Sequence, residues 1–243
     1  MSRLWLIVPA AGVGRRMQSE CPKQYLPLAG RTVLAQTLAR LHAAFPAATL
    51  CLCLARDDAR FDASMVPFAD WRRIDGGAER ADSVVAALAA VASEAADDDA
   101  VLVHDAARPC VATDDLIRLL AAVREVPDGA LLAAPVADTM KRAAADGRVA
   151  GTELRDGLWH ALTPQGACFG LLREAYRTAL AQGVALTDES SALETMGRAP
   201  RLVAGRRNNL KITQPDDLAL AEQILAAQVS RNPPLAAQHK AST

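Results

Sequence analysis

The sequence lacks paired cysteines and any long apolar run, and each absence excludes a class of protein. The five cysteines are an odd number and form no CxxC pair, so neither a disulfide framework nor a zinc ribbon is predicted. This usage favours the reducing cytoplasm. No apolar run approaches the roughly 18 residues that a membrane span needs, and the N-terminus has no secretion signal. We expect a protein that is neither exported nor inserted in a membrane.

An excess of either charge is also missing. The 243 residues carry 27 Lys and Arg against 28 Asp and Glu, a net charge of −1. Such a balance provides no basic field for a long polyanion, so nucleic acid is not an expected partner. Hydrophobic residues make up 51% of the chain, which excludes a disordered protein and favours a globular α/β domain.

Short apolar runs alternate with helical patterns along the first half of the chain. Strands are predicted over residues 4–8, 49–54, 72–75, 100–103 and 130–135. Helices are predicted between them over residues 32–44, 81–96 and 113–125. This order predicts a mostly parallel, twisted sheet flanked by helices, with ligands at the carboxyl ends of the strands.

The alternation stops at residues 136–157, which are polar and lack a helical period, and we predict a protruding β-arm there. Beyond the arm, helices are predicted over residues 171–181, 189–196 and 215–227, with a strand over 201–204. We expect a single domain over residues 1–229. Residues 230–243, which include two prolines and small polar residues, are predicted to be a disordered tail.

The first strand leads into a glycine turn, PAAGVGRRM, with PK shortly after it. Gly12 and Gly14 allow backbone N–H groups to approach an anion, so the segment is predicted to bind phosphate. A dinucleotide-binding fingerprint is excluded because Met17 takes the place of its third glycine, and a Walker loop is excluded because no GK[ST] follows. A glycine turn that only joins a strand to a helix is the alternative.

Two further turns follow predicted strands. In GGAERADS, the functional interpretation places Gly77, Ala78 and Ser83 around a small planar ligand, whereas the alternative is a capped first helical turn. In HDAARP, Asp105 is predicted to hold Mg²⁺ and Arg108 to bind anionic charge. The alternative there is an Asp–Arg ion pair that closes a loop, and His104 is expected to orient the loop rather than to transfer protons.

Lysine is rare beside 23 arginines, and three of the four lysines lie in polar motif segments. A compact ammonium group on a flexible stem can follow a moving phosphate, whereas the rigid guanidinium fork suits a fixed anion. This contrast indicates that Lys23 and Lys211 contact a reacting phosphate; the indication is weaker for Lys141.

Taken in order, the motifs resemble those of the 2-C-methyl-D-erythritol 4-phosphate cytidylyltransferases over most of residues 3–225. The resemblance is carried by PAAGVGRRMQSECPKQYL, GGAERADSV, VHDAARPC, PVADTMK, GLWHALTPQ, LTDESSALE and NNLKIT. It implies a Rossmann-like nucleotidyltransferase fold, CTP and Mg²⁺ as ligands, and a homodimer whose β-arms reach the partner subunit.

The resemblance also implies roles for individual residues. The catalytic residues would be Arg16, Lys23 and Lys211. The nucleotide-binding residues would be Ala10, Ala11, Gly12, Gly14, Gly77, Ala78, Arg80, Ser83 and Asp105, with Asp105 also binding the metal. The residues that bind the acceptor would be Arg108, Thr139, Arg155 and Thr187. Asn208 departs from the pattern, because similar sequences are expected to have an acidic residue there.

The predicted reaction transfers CMP from CTP to 2-C-methyl-D-erythritol 4-phosphate and releases pyrophosphate. One alternative keeps the fold and changes the acceptor to another phosphorylated polyol, such as ribitol 5-phosphate. A second alternative is a regulator that binds a nucleotide without turning it over.

Overall fold

The computed structural model describes residues 2–12 and 21–231, and its secondary structure follows the predicted alternation. The strands are β1 (Leu4–Pro9), β2 (Pro27–Leu28), β3 (Arg31–Thr32), β4 (Thr49–Leu54), β5 (Trp71–Asp75), β6 (Ala100–Val103), β7 (Ala130–Pro135), β8 (Met140–Ala143), β9 (Val149–Glu153), β10 (Trp159–Cys168) and β11 (Arg201–Ala204). The helices are α1 (Val33–Ala44), α2 (Arg80–Val91), α3 (Thr113–Glu125), α4 (Phe169–Ala181), α5 (Glu189–Glu194) and α6 (Asp216–Arg231).

Seven strands form the central sheet in the order β11-β7-β10-β6-β1-β4-β5. Its strand pairs are parallel except those of β10, which runs antiparallel to both β6 and β7. The mostly parallel sheet was predicted, but β10 has no counterpart among the predicted strands. It inserts between β6 and β7 and carries the TPQ segment into the middle of the sheet.

Alternating residues of the sheet supply two apolar layers. On β1, Leu6 and Val8 pack on the side of α1 and α3, whereas Trp5 and Ile7 pack on the side of α2, α4 and α5. All four side chains are fully buried. Successive strand residues point to opposite faces, so a sheet covered by helices on both sides needs a continuous apolar run such as LWLIV.

Helix α2 is shorter than predicted, because it ends at Val91 rather than at residue 96. The backbone N–H of Ala96 donates to Asp99 Oδ2 at 3.1 Å, and the same oxygen accepts from the indole of Trp5 at 3.0 Å. This tertiary contact turns the chain toward β1, so the alanine-rich pattern does not continue as helix.

The predicted arm contains an antiparallel pair of exposed strands, β8 and β9, which pair with each other and not with the central sheet. Contact of the arm with a second subunit stays a prediction. At the other end, α6 includes residues 230 and 231 of the predicted tail, and the rest of that tail lies outside the described residues. Within residues 2–12 and 21–231, no helix has the length and apolar character to cross a bilayer.

Candidate active site

Three parallel strands of the central sheet end at one edge, and each is followed by a predicted motif. Ala10 follows β1, Gly76 and Gly77 follow β5, and Asp105 lies two residues after the end of β6. The edge is compact: a Cβ atom added to Gly76 would lie 2.5 Å from the Cβ of Ala11. Glycine at this position therefore lets the β5–α2 turn pack directly against the β1 turn.

A buried glutamine side chain is hydrogen-bonded to the backbone of the turn that follows β1. The Nε2 of Gln24 donates to Ala10 O at 2.8 Å and to Gly12 O at 3.1 Å. Next to it, Lys23 Nζ donates to Ile212 O at 2.9 Å. The carbonyl groups of Ala10 and Gly12 are thus both bonded to one buried side chain.

The β5–α2 turn supports both interpretations of its motif. Glu79 and Asp82 form a reciprocal capping box at the start of α2, as the alternative predicted. Beside this box, Ser83 Oγ accepts from the backbone N–H of Gly77 at 3.1 Å. The capped helical turn therefore fixes the backbone that faces the cleft.

Asp105 lies among three cations. Its Oδ1 is 3.0 Å from Arg80 Nε, and its Oδ2 is 2.8 Å from Lys211 Nζ and 3.4 Å from Arg108 Nε. Burial alone would raise the pKa of this carboxyl, but the three cations outweigh burial and hold the pKa well below its usual range. The predicted Asp–Arg pair exists, as one contact in a larger cluster with a net positive charge.

Arg80 connects this cluster to a carboxylate in the interior. Its Nη1 and Nη2 donate to the two carboxylate oxygens of Glu189 at 2.8 and 2.9 Å. Glu189 also accepts from the hydroxyl of Tyr176 at 2.8 Å. Burial would lower the pKa of Arg80, but Glu189 and then Asp105 raise it, so the guanidinium is charged.

His104 is fully buried and bonded through both ring nitrogens. Nε2 lies 3.1 Å from Arg108 O, and Nδ1 lies 3.1 Å from Thr163 Oγ1. Because a carbonyl only accepts, Nε2 carries the proton and Nδ1 accepts from the threonine hydroxyl. Burial lowers the pKa of His104 to about 4, so the ring is neutral at pH 7. This geometry agrees with the predicted role of orienting the loop.

Two adjoining clefts open at this edge. The first cleft is lined by Pro9, Ala10, Ala11, Gly12, Lys23, Gln24, Gly77, Ala78, Glu79, Arg80, Ser83, Asp105, Ala106, Ala107 and Lys211. The second cleft is lined by Arg80, Asp105, Arg108, Ala161, Thr163, Gln165, Thr187, Asp188 and Lys211. Arg80, Asp105 and Lys211 line both clefts and therefore mark the boundary between them.

Most of the predicted site residues line these clefts. The first cleft contains all the described residues predicted to bind the nucleotide, together with Lys23 and Lys211. Of the predicted acceptor residues, Arg108 and Thr187 line the second cleft, whereas Thr139 and Arg155 are exposed on the arm segment and line neither. Arg155 Nη1 donates to the carbonyl of Ala137. Gly14 and Arg16 lie outside the described residues.

Several residues that hold the site together were not among the predicted site residues. Gln24, Thr163 and Glu189 lie inside motifs that carry the resemblance, and each is buried and bonded to a cleft-lining residue. Their motifs were visible in the sequence. The partners of Glu189 and Thr163 were not, because Glu189 bonds to Arg80, 109 positions away, and Thr163 lies on the unpredicted strand β10.

Comparisons with known proteins agree on one family. The sequence model of the family described as 2-C-methyl-D-erythritol 4-phosphate cytidylyltransferase matches residues 4–227. The protein of that name from Chromohalobacter salexigens is 67% identical over 226 residues, which cover 93% of this chain and 91% of that protein. The one from Vibrio vulnificus is 48% identical over 233 residues, covering 95% and 98% of the two chains. A solved structure from Francisella tularensis has a TM-score of 0.79 at 33% identity and covers 92% of this chain and 100% of that chain.

Proposed function

This chain belongs to the 2-C-methyl-D-erythritol 4-phosphate cytidylyltransferase family, and we propose that it transfers the cytidylyl group of CTP to 2-C-methyl-D-erythritol 4-phosphate. The observation that carries the proposal is the boundary between the clefts, where Arg80, Asp105 and Lys211 face both. A transferase must hold two substrates with their reacting atoms adjacent, and two clefts that share charged residues meet this requirement.

The chemistry needs little from the protein beyond position and charge. A phosphate oxygen of the acceptor attacks the α-phosphorus of CTP, a new P–O bond forms, and the bond to the β-phosphate oxygen breaks, releasing pyrophosphate. The attacking oxygen is already an anion, so no general base is required. Positioned cations that stabilise the charge developing on the phosphates supply most of the catalysis.

The first cleft suits the nucleotide. Its lining includes Ala10, Ala11, Gly77 and Ala78, whose small or missing side chains leave room for a flat base. Lys23 and Lys211 lie in the same cleft and would contact the triphosphate, together with Arg16.

The second cleft suits the acceptor, and we propose that a second subunit completes it. Arg108 and Thr187 line the cleft. Thr139 and Arg155 would reach the cleft of the partner subunit from the arm. The arm and its base also expose apolar side chains, with Val149 65% and Leu154 86% exposed, which favours their burial against another chain. The homodimer proposed here explains both features.

The site could bind Mg²⁺ through one carboxylate, that of Asp105, together with the phosphates of a substrate. Within the described part of the chain, no three His, Cys, Asp or Glu side chains form a metal site. Mg²⁺ commonly takes one or two carboxylates and completes its shell with water and substrate phosphates. Asp105 is ionised and faces both clefts, so it would hold the ion together with the triphosphate. When bound, Mg²⁺ would neutralise phosphate charge.

The cysteines support a cytoplasmic location in this proposal. No disulfide joins any of the five cysteines, all of which lie among the described residues. Burial raises the pKa of Cys51 and Cys53 to about 12 each, which keeps both thiols protonated and inert. This number of cysteines without a disulfide is typical of proteins in a reducing compartment.

Pyrophosphate release tests the proposed function. The purified protein is given Mg²⁺, CTP or another nucleoside triphosphate, and either 2-C-methyl-D-erythritol 4-phosphate or ribitol 5-phosphate. Release with CTP and the methylerythritol phosphate, and a much lower rate with ribitol 5-phosphate, is expected. Faster release with ribitol 5-phosphate would assign the other acceptor, and CTP binding without any release would support the regulator.

A further inference from the structure

Glu189 is a buried carboxylate that faces neither substrate cleft. Its side chain has no exposed surface, and it lies at the first residue of α5. A charged group in such a place costs several kcal/mol unless it is paired and hydrogen-bonded. Glu189 meets that condition through two bonds from Arg80 and one from Tyr176.

The two bonds from Arg80 fix the orientation of its guanidinium group. Both terminal nitrogens point into the protein toward Glu189, and Nε points to Asp105 Oδ1. A planar fork bound at both ends has no freedom to rotate. The guanidinium is thereby held between an interior carboxylate and the carboxylate at the boundary of the clefts.

Arg80 is also paired with two carboxylates at once, Asp105 and Glu189. A guanidinium that is paired with Asp105 alone would be drawn fully to that carboxylate. Because Glu189 contacts the other two nitrogens, Arg80 stays in a fixed position in which it lines both clefts. Apolar residues of similar volume in place of the whole Glu189–Arg80 pair would serve stability equally well or better, so stability alone does not account for the pair.

We propose that Glu189 is a positioning residue for cytidylyl transfer: it holds Arg80 at the boundary of the two clefts, where the α-phosphate of CTP must lie. This inference rests on the proposed function and extends it to a residue that touches neither substrate. Glu189 acts through Arg80, and Tyr176 supports it by donating to the same carboxylate.

A double-mutant cycle on turnover tests the pathway. Glu189→Gln keeps the shape of the side chain and removes its charge, and it should lower kcat on the order of 10-fold or more while changing the KM for CTP little, because misplacement of a charge near the reacting atoms is costly. Arg80→Ala should lower kcat on the order of 10²-fold. In the Arg80→Ala background, Glu189→Gln should have no further effect on kcat.

The chain offers a matched control. Glu94 accepts two bonds from Arg72 at 2.7 and 2.6 Å, the same paired geometry at an exposed site outside both clefts. Glu94→Gln should leave kcat unchanged. Melting temperatures do not decide the question. The effects of the two substitutions on stability are coupled in any buried ion pair, whether or not the pair serves catalysis.

Two results would contradict the positioning role of Glu189. An equal loss of kcat from Glu189→Gln with and without Arg80 would overturn the inference, because Glu189 would then act by another route. A loss confined to the KM for CTP would also overturn it. If Glu189→Gln does not fold, Glu189→Asp, which keeps the charge and shortens the reach, replaces it in the same cycle. Absence of turnover in the unmodified protein would instead refute the proposed function.

Discussion

The neutral, buried imidazole of His104 should make the stability of this protein depend on pH in a measurable window. In the folded protein the pKa is lowered to about 4 by burial, against 6.5 for an unperturbed histidine. Between these values the unfolded chain binds a proton that the folded chain does not. The free energy of unfolding should therefore fall as the pH is lowered from 6.5 toward 4.

The size of the effect follows from the gap between the two pKa values. Each pH unit in the window is worth about 1.4 kcal/mol for one proton, so the whole window amounts to about 3 kcal/mol. His104→Gln removes the titrating group, and the amide of glutamine can still donate to Arg108 O. The variant should therefore lose about 3 kcal/mol less than the unmodified protein between pH 7 and pH 4.

Urea unfolding at half-unit steps across this range measures the difference. Carboxylates titrate in both proteins and cancel in the comparison, provided that the variant has the same m-value. The control is His160→Gln, which makes the same substitution at an exposed histidine. Parallel curves for His104→Gln and the unmodified protein would refute the assignment of a neutral, buried ring.

Three further substitutions address the proposed chemistry. Lys23→Ala should lower turnover on the order of 10²-fold, since it removes one charge contact to the triphosphate, and should lower stability by about 1.5–3 kcal/mol through the lost bond to Ile212 O; near-normal pyrophosphate release would remove Lys23 from the catalytic set. Asp105→Asn should abolish most magnesium-dependent turnover and also lower stability by about 3 kcal/mol, because three cations lose their common partner. A magnesium titration beside urea unfolding separates these two losses, and an unchanged magnesium dependence would leave Asp105 with a structural role only. Arg155→Ala should raise the KM for the acceptor strongly and that for CTP little. Mixed dimers of Arg155→Ala and Lys23→Ala subunits should regain activity at one of their two sites, whereas an inactive mixture after proven exchange would place Arg155 in its own subunit's site.

Local patterns predicted most of the sheet but not its interior strand β10. The run from Leu4 to Val8 is apolar at every position, and it forms the buried strand β1. Strand β10 carries His160, Thr163 and Gln165 among apolar residues, so it shows no strand alternation. Its residues 162–167 are buried, and their polar groups find partners: Thr163 Oγ1 accepts from the backbone N–H of Asp105, and Gln165 donates to Asp188. Such long-range pairing outweighs local preference and is invisible in a single segment.

In the site, too, local motifs were predictable from the sequence and long-range contacts were not. Motifs at strand ends located Asp105 and Gly77, because parallel strands bring their carboxyl ends to one edge, and the rarity of lysine singled out Lys23. The sequence did not predict that Asp105 would contact three cations at once, since Arg80 and Lys211 come from opposite sides of it in the chain. Residue types at strand ends indicate where a site lies, whereas its internal bonding depends on tertiary contacts.

The hydrogen bond from Lys23 to Ile212 joins residues that are 189 positions apart, and it has a consequence for biosynthesis. The ribosome synthesises the chain from the N-terminus, so the glycine turn leaves the ribosome long before the segment that carries Lys211 and Ile212. A second bond, from Ile212 N to Ala107 O at 2.8 Å, ties the same late segment to the loop of Asp105. The first cleft is therefore incomplete on a nascent chain that lacks this segment. CTP should bind only after nearly the whole chain has been made and folded, and it then stabilises the complete fold rather than any early part of it.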